Sequence, residues 1–118
     1  MDVPKIVTFD DYQQATGRTA VYPGERGELN AILYVALGLS GEAGEVAGAI
    51  KKVLRDESGM MSSTRRKKVL AEIGDVLWYC SQLATELDAD LEEIARENVA
   101  KLFDRMNRGA LRGDGDER

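Results

Sequence analysis

Residues 41–46 read GEAGEV and residues 71–76 read AEIGDV. From Glu42 and from Glu72 the order is the same: an acid, a spacer, a glycine, an acid and a valine. The residues around them decide the fold. Rotated at about 100° per residue with Glu42 at zero, Val35, Leu39, Val46, Ala49, Ile50 and Val53 all fall within about 80° of it, the apolar stripe of an amphipathic helix. Around Glu72 the same construction collects Val69, Val76, Tyr79, Cys80, Leu83 and Leu87. Glu45 and Asp75 lie one turn along, at the margin of each stripe. Gly44 and Gly74 take equivalent places on the opposite side. A glycine inside a helix costs up to ~1 kcal/mol relative to alanine, and a close helix–helix approach would account for it.

Working outward, the first of these helices is expected over Leu29–Arg55 and the second over Thr64–Leu87, joined by the loop Asp56–Ser63 with its glycine and capping serines. Asp88–Asp90 is a tight connection, and Asp90 with Glu93 starts a third long helix over Leu91–Asn107, stopped at Gly109. Before them, Thr8–Ala15 reads as a short helix capped by Thr8 with Asp11 three residues on, and Gly17–Glu28 as a loop. Both prolines, Pro4 and Pro23, precede the long helices. The expected fold is all-α: an antiparallel bundle of three long helices plus a short N-terminal one, in a chain that oligomerises to cover its remaining apolar surface. Residues 1–111 form a single domain, and the polar tail 112–118 (RGDGDER) is expected to be disordered.

Composition restricts the chemistry. The 118 residues include no histidine and one cysteine, Cys80. That excludes a Ser-His-Asp triad, a Cys-His pair, an imidazole metal site and an intrachain disulfide. Sixteen basic against 21 acidic residues give a formal charge of −5, which argues against a surface that coats a nucleic-acid polymer. No signal-peptide pattern and no apolar run of membrane-spanning length are present, so a cytoplasmic protein without a membrane partner is expected.

Four carboxylates within or beside a helical core repel one another, and buried unpaired charge is costly, so such groups take up protons, pair or bind metal. A single E-x-x-E is ordinarily a solvated face. Two at matching phase on two apolar stripes are harder to explain that way. Oxygen ligands alone suit a hard cation, Mg²⁺ or Mn²⁺, and Mg²⁺ completes its shell with water and substrate phosphates. A di-iron bundle would need the Glu-x-x-His motif that this chain cannot make. Lys52 and Lys68 share faces with the acids and could neutralise them or grip phosphate. The run Arg65–Lys68 opposes the dipole at a helix start, which Asp56 and Glu57 could offset. On the third helix Asn98, Lys101 and Arg105 share one edge, an amide for metal or sugar and two cations for a polyphosphate. Trp78 points away from the Glu72 stripe and reads as a dimer or packing residue rather than a base-stacking one. A bundle whose acids only make interhelical salt bridges, and a non-catalytic module that binds a nucleotide or protein, remain the alternatives.

The paired motifs, E-x-x-E at Glu42–Glu45 and E-x-x-D at Glu72–Asp75, resemble the signature of MazG-like nucleoside triphosphate pyrophosphohydrolases. LGLSGEAGEV, EIGDVLWY and NVAKLFDRMNRG read like segments of that family over about Leu29–Gly109. The N-terminal stretch FDDYQQATGRTAVYPG resembles the leader of short phage and bacterial members. The resemblance implies Mg²⁺-dependent hydrolysis of a (d)NTP between the α and β phosphates, giving a nucleoside monophosphate and pyrophosphate, in nucleotide-pool control or house-cleaning. It further implies that Glu42, Glu45, Glu72 and Asp75 hold the metal and serve catalysis, that Lys52, Lys101 and Arg105 bind phosphates, and that Asn98 contacts metal or sugar. Arg18, Thr19 and Tyr22 in the leader are the candidates for base contact. Family members are homodimers or dimers of dimers with sites built across two subunits.

Overall fold

Local signals place the helix ends. The computed structural model describes residues 2–113 and 115–116. Its four helices are α1 (Phe9–Arg18), α2 (Leu29–Asp56), α3 (Ser63–Glu86) and α4 (Leu91–Asn107), and no strand occurs among the described residues. Thr8 closes a full capping box with Asp11 at the start of α1. The Ser62 hydroxyl accepts from the Arg65 amide at 3.1 Å to open α3. Asp90 caps α4 through the Glu92 amide at 3.0 Å, while the Glu93 carboxylate turns to Arg96, so only half of the expected capping box forms. Gly109, at φ 69°, ends α4 as expected, with the Ala110 amide returning to the Arg105 carbonyl at 2.7 Å and the Gly109 amide to that of Met106 at 3.1 Å.

The molecule is organised on the antiparallel α2–α3 hairpin. Small and β-branched residues fill the seam, with Ala31, Val35, Ala49 and Val53 of α2 buried together with Val69 and Ala84 of α3. α1 packs on α3 and α4, and α4 touches α1 and α3 but not α2. The first helix runs past its expected end at Ala15. Thr16 is buried, and its hydroxyl meets that of Ser81 on α3 at 2.8 Å, so a tertiary contact carries the helix through Gly17.

The glycine expectation needs correcting. A methyl group at Gly44 or Gly74 would meet nothing within 4 Å, so neither marks a close approach inside this chain. Gly38 does. A Cβ there would lie 2.1 Å from the Tyr79 ring, which rests directly on the α2 backbone.

Of the tail, residues 114, 117 and 118 lie outside the described residues. Asp116 folds back on α4, where its carboxylate accepts from Lys101 at 3.1 Å and from Arg105 at 3.2 Å, and its carbonyl from Arg105 at 2.5 Å. No helix among the described residues is long and apolar enough to cross a membrane.

Candidate metal and nucleotide site

The α2–α3 hairpin sets its acids against each other. One carboxylate oxygen each from Glu42, Glu72 and Asp75 lies within 4.8 Å of the others. Burial pushes the Glu42 carboxyl above its usual range, and the Asp75 charge, a hydrogen bond with Glu72 and the charges of Glu72 and Glu45 push it further the same way. Among the described residues, the one ion pair reaching the trio is weak: Lys68 Nζ stands 3.5 Å from Glu72 Oε1 and is half exposed. Glu45 is exposed on the same helix, one turn from Glu42 and outside the trio. Three crowded oxygens with no nitrogen or sulfur ligand match the donor set of a hard divalent cation.

A second acidic trio, Asp10, Asp90 and Glu92, has a different explanation. Hydrogen bonds with Glu92 and Asp90, with smaller contributions from burial and their charges, raise the Asp10 carboxyl to about 6. All three stand at the starts of α1 and α4, where the helix dipole eases negative charge without cancelling the repulsion at Asp10, and Arg96 pairs with Glu92 at 3.4 Å.

Next to the Glu42 trio lies an aromatic recess of about 280 Å³, lined by Thr19, Val21, Tyr22, Pro23, Tyr34, Trp78 and Tyr79. Tyr22 stacks on Tyr34 with ring centroids 5.4 Å apart and 13° between planes, and meets Trp78 edge-on at 6.1 Å. Tyr34 precedes Glu42 by about 12 Å of helix, and Trp78 and Tyr79 follow Asp75 by about 5–6 Å. Tyr79 bridges the two regions. Burial raises its phenol, followed by the influence of Tyr34 and then of Glu42 and Asp75.

The other expected site residues are dispersed. Lys52 is half-buried further along α2, close enough to Asp56 to favour its charged form. Asn98 is exposed on α4, and Lys101 and the buried Arg105 meet Asp116 rather than the trio. Arg18 lines an adjoining groove with Pro4, Ile6 and Tyr12, which shares Thr19 with the recess. Tyr22 lines the recess, while its hydroxyl is engaged elsewhere, donating to Glu86 and accepting from Arg26 and Gln82 at 3.0 Å each. Trp78 lines the recess and donates its indole N–H to the Thr19 hydroxyl at 2.8 Å. The basic start of α3 is offset at Arg65, whose guanidinium lies 2.6 Å from Glu57. Hydrogen bonds from Ser62 and then Arg65 hold that carboxyl at about 2.

Sequence reasoning missed Gly38, Gln82 and Glu86. The signal was present. On the same rotation, Gly38 falls about 40° from Glu42, and Glu86 about 40° from Glu72, both on the apolar stripes.

Comparison with known proteins agrees with this geometry. The model of the MazG nucleotide pyrophosphohydrolase domain matches residues 31–109, a span that contains all three carboxylates of the trio. The Gene 37 protein of Mycobacterium phage L5 is 44% identical over 111 residues, covering 92% of this chain and 97% of that relative. No solved structure matches the chain. A helical hairpin presenting paired acids, inside a match over most of its length, places the chain in the MazG nucleotide pyrophosphohydrolase family.

Proposed function

We propose that the chain hydrolyses a nucleoside triphosphate between its α and β phosphates, releasing a nucleoside monophosphate and pyrophosphate, with Mg²⁺, or Mn²⁺ in its place, held by Glu42, Glu72 and Asp75. The observation that carries this reading is the crowding of those three carboxylates beside an aromatic recess. When bound, the cation supplies neutralisation of the phosphate charge and activation of water. Glu45 adds a fourth acid one turn along and, with its neighbours, accepts the proton of the attacking water. Lys52 lies on the carboxylate side of α2, where its ammonium attracts the polyphosphate.

Asn98 and, once Asp116 gives way to the substrate, Lys101 and Arg105 take their phosphate and sugar contacts across an oligomer interface. The support is that α4 touches no part of α2 within one chain, while α2 leaves Leu29, Leu33, Leu37 and Leu54 between 48% and 75% exposed. Apolar faces of that extent on a small chain mark an association surface, here a homodimer or a dimer of dimers. The recess is just below the roughly 300 Å³ lower limit of small-molecule clefts, which suits one end of a nucleotide. Thr19 and Tyr22, two of the three leader candidates, line that recess and contact the base there, and Arg18 stands in the adjoining groove. Pool control or house-cleaning in the cytoplasm fits such a reaction.

The test is a panel of canonical, deoxy- and damaged nucleoside triphosphates incubated with Mg²⁺ or Mn²⁺, with products separated by chromatography. At least one should give monophosphate and pyrophosphate in equal amounts, and chelation should stop the reaction. Diphosphate with orthophosphate would contradict the bond assignment. Binding without turnover across the panel would instead identify a nucleotide-binding module.

A further inference from the structure

Glu86 closes α3 with its side chain fully buried, on the face that carries the acid trio some 14 residues earlier. Nothing in the acid chemistry uses it. Its partners come from a single irregular segment between α1 and α2. The Tyr22 phenol donates to Oε2, Arg26 Nη1 donates to the same oxygen at 2.5 Å, and the Gly27 amide donates to Oε1 at 2.7 Å. Gln82, buried one turn earlier on α3, donates to the Tyr22 oxygen at 3.0 Å. That oxygen therefore gives one hydrogen bond and accepts two, from Gln82 and Arg26.

A carboxylate buried this fully is an expensive way to hold two elements together, since well-packed apolar side chains would serve stability as well. What the carboxylate adds is direction. Three donors spread over six residues of a segment without regular structure are fixed to one point. The segment turns at Gly24 (φ 98°) and Gly27 (φ 81°), and a Cβ at Gly24 would lie 2.7 Å from the Ala31 amide nitrogen, so its path is set closely. The same segment supplies Thr19, Tyr22 and Pro23 to the aromatic recess, against Tyr34, Trp78 and Tyr79 of the hairpin. Where the segment stands decides the shape of the recess.

We infer that Glu86 is a positioning residue for base recognition: through Tyr22, Arg26 and Gly27 it pins residues 19–27 to α3, fixing the Tyr22 ring as one wall of an aromatic recess that receives the planar base of the nucleotide. The inference rests on the proposed nucleotide reaction for its ligand, but concerns the base and not the phosphates. Loosening the anchor should therefore weaken recognition of the nucleoside part alone.

The experiment compares wild type, Glu86→Gln and Tyr22→Phe in steady-state turnover of the nucleotide that wild type hydrolyses best, and in inhibition by inorganic tripolyphosphate, which has no base. Glu86→Gln should raise KM about tenfold with kcat little changed, a loss confined to binding. Inhibition by tripolyphosphate should be the same as in wild type. Tyr22→Phe keeps the ring and loses one of the three bonds to Glu86, so it should move KM in the same direction by a smaller factor, and the double variant should be no worse than Glu86→Gln alone. An unchanged KM in Glu86→Gln, or a parallel weakening of tripolyphosphate inhibition, would overturn the inference. Should Glu86→Gln fail to fold, Arg26→Gln loosens the same anchor from its half-exposed side. If wild type turns over no nucleotide, the reaction has failed and the recess is read by itself, from quenching of Trp78 fluorescence by phosphate-free nucleosides. Quenching that weakens in the anchor variant supports the inference, and its absence in wild type sinks it.

Discussion

At Glu72 and Asp75, α3 meets Glu42 of α2 in a crowd of three carboxylates that the half-exposed Lys68, 3.5 Å from Glu72, relieves only weakly. At Glu86 the same helix buries one carboxylate against a phenol, a guanidinium and a backbone amide. The two places respond to ionisation in opposite ways. Burial, then the neighbouring acids, hold the Glu42 carboxyl above its usual range. At Glu86 burial also pushes upward, but the Gly27 amide, the Tyr22 hydroxyl and Arg26 together outweigh it and leave the carboxyl below its usual range. One site has more negative charge than the protein compensates, and the other is satisfied by the chain itself. The surplus charge is what the proposed cation would relieve, whereas the satisfied buried charge marks a fixed position in the fold.

The largest effects should come from the uncompensated site. Glu42→Gln or Asp75→Asn should lower pyrophosphate release by at least about 10²–10³-fold. Because each also removes a repelling charge, the metal-free variant should melt no lower than wild type, and a relief of 1 kcal/mol would raise the midpoint by about 4 °C. Full activity in either variant would remove the metal assignment. At the compensated site the sign reverses. Arg26→Ala should cost about 3 kcal/mol in denaturant unfolding, at the low end for a broken buried pair because the guanidinium is half exposed.

Between the two regions stands Gly38 under the Tyr79 ring. Gly38→Ala has to displace that ring and should cost about 1–3 kcal/mol, whereas Gly44→Ala and Gly74→Ala, facing open space, should gain up to about 1 kcal/mol in the monomer. Equal effects at the three glycines would contradict the placement of Tyr79. The smallest effect is in acid. A carboxyl whose folded value is depressed contributes stability in full above its unfolded value of about 4.3, and the contribution is lost as pH falls through the folded value. Stability measured from pH 5 down to pH 2 should therefore fall less in Glu86→Gln than in wild type.

Much of this arrangement was legible in the sequence. Apolar spacing around Glu42 and Glu72 gave the two long helices, and Thr8, Ser62, Asp90 and Gly109 placed ends within a residue or two. The acids came together because residues on facing stripes of an antiparallel hairpin must meet. Other features were hidden for physical reasons. The extension of α1 past Gly17 depends on a hydroxyl pair with Ser81, 65 residues away, which no local propensity contains. Gly44 and Gly74 drew attention through the repeat, although their phase, opposite to the stripes, already placed them outside the seam, and Gly38 had the phase that counts. Glu86 has the phase of the apolar stripe, but that a loop 60 residues earlier delivers its partners is a tertiary matter. Lys101 and Arg105 share an edge as expected, but which carboxylate or phosphate they meet is a tertiary matter, and within the chain it is Asp116.

Titration with Mn²⁺ followed by electron paramagnetic resonance tests the central contrast most directly, because it counts bound cation without needing a substrate. Wild type and Glu86→Gln should bind Mn²⁺ alike, and Glu42→Gln should lose that binding while keeping its helical circular dichroism. Equal binding by Glu42→Gln, or no binding by any of the three, would contradict the account.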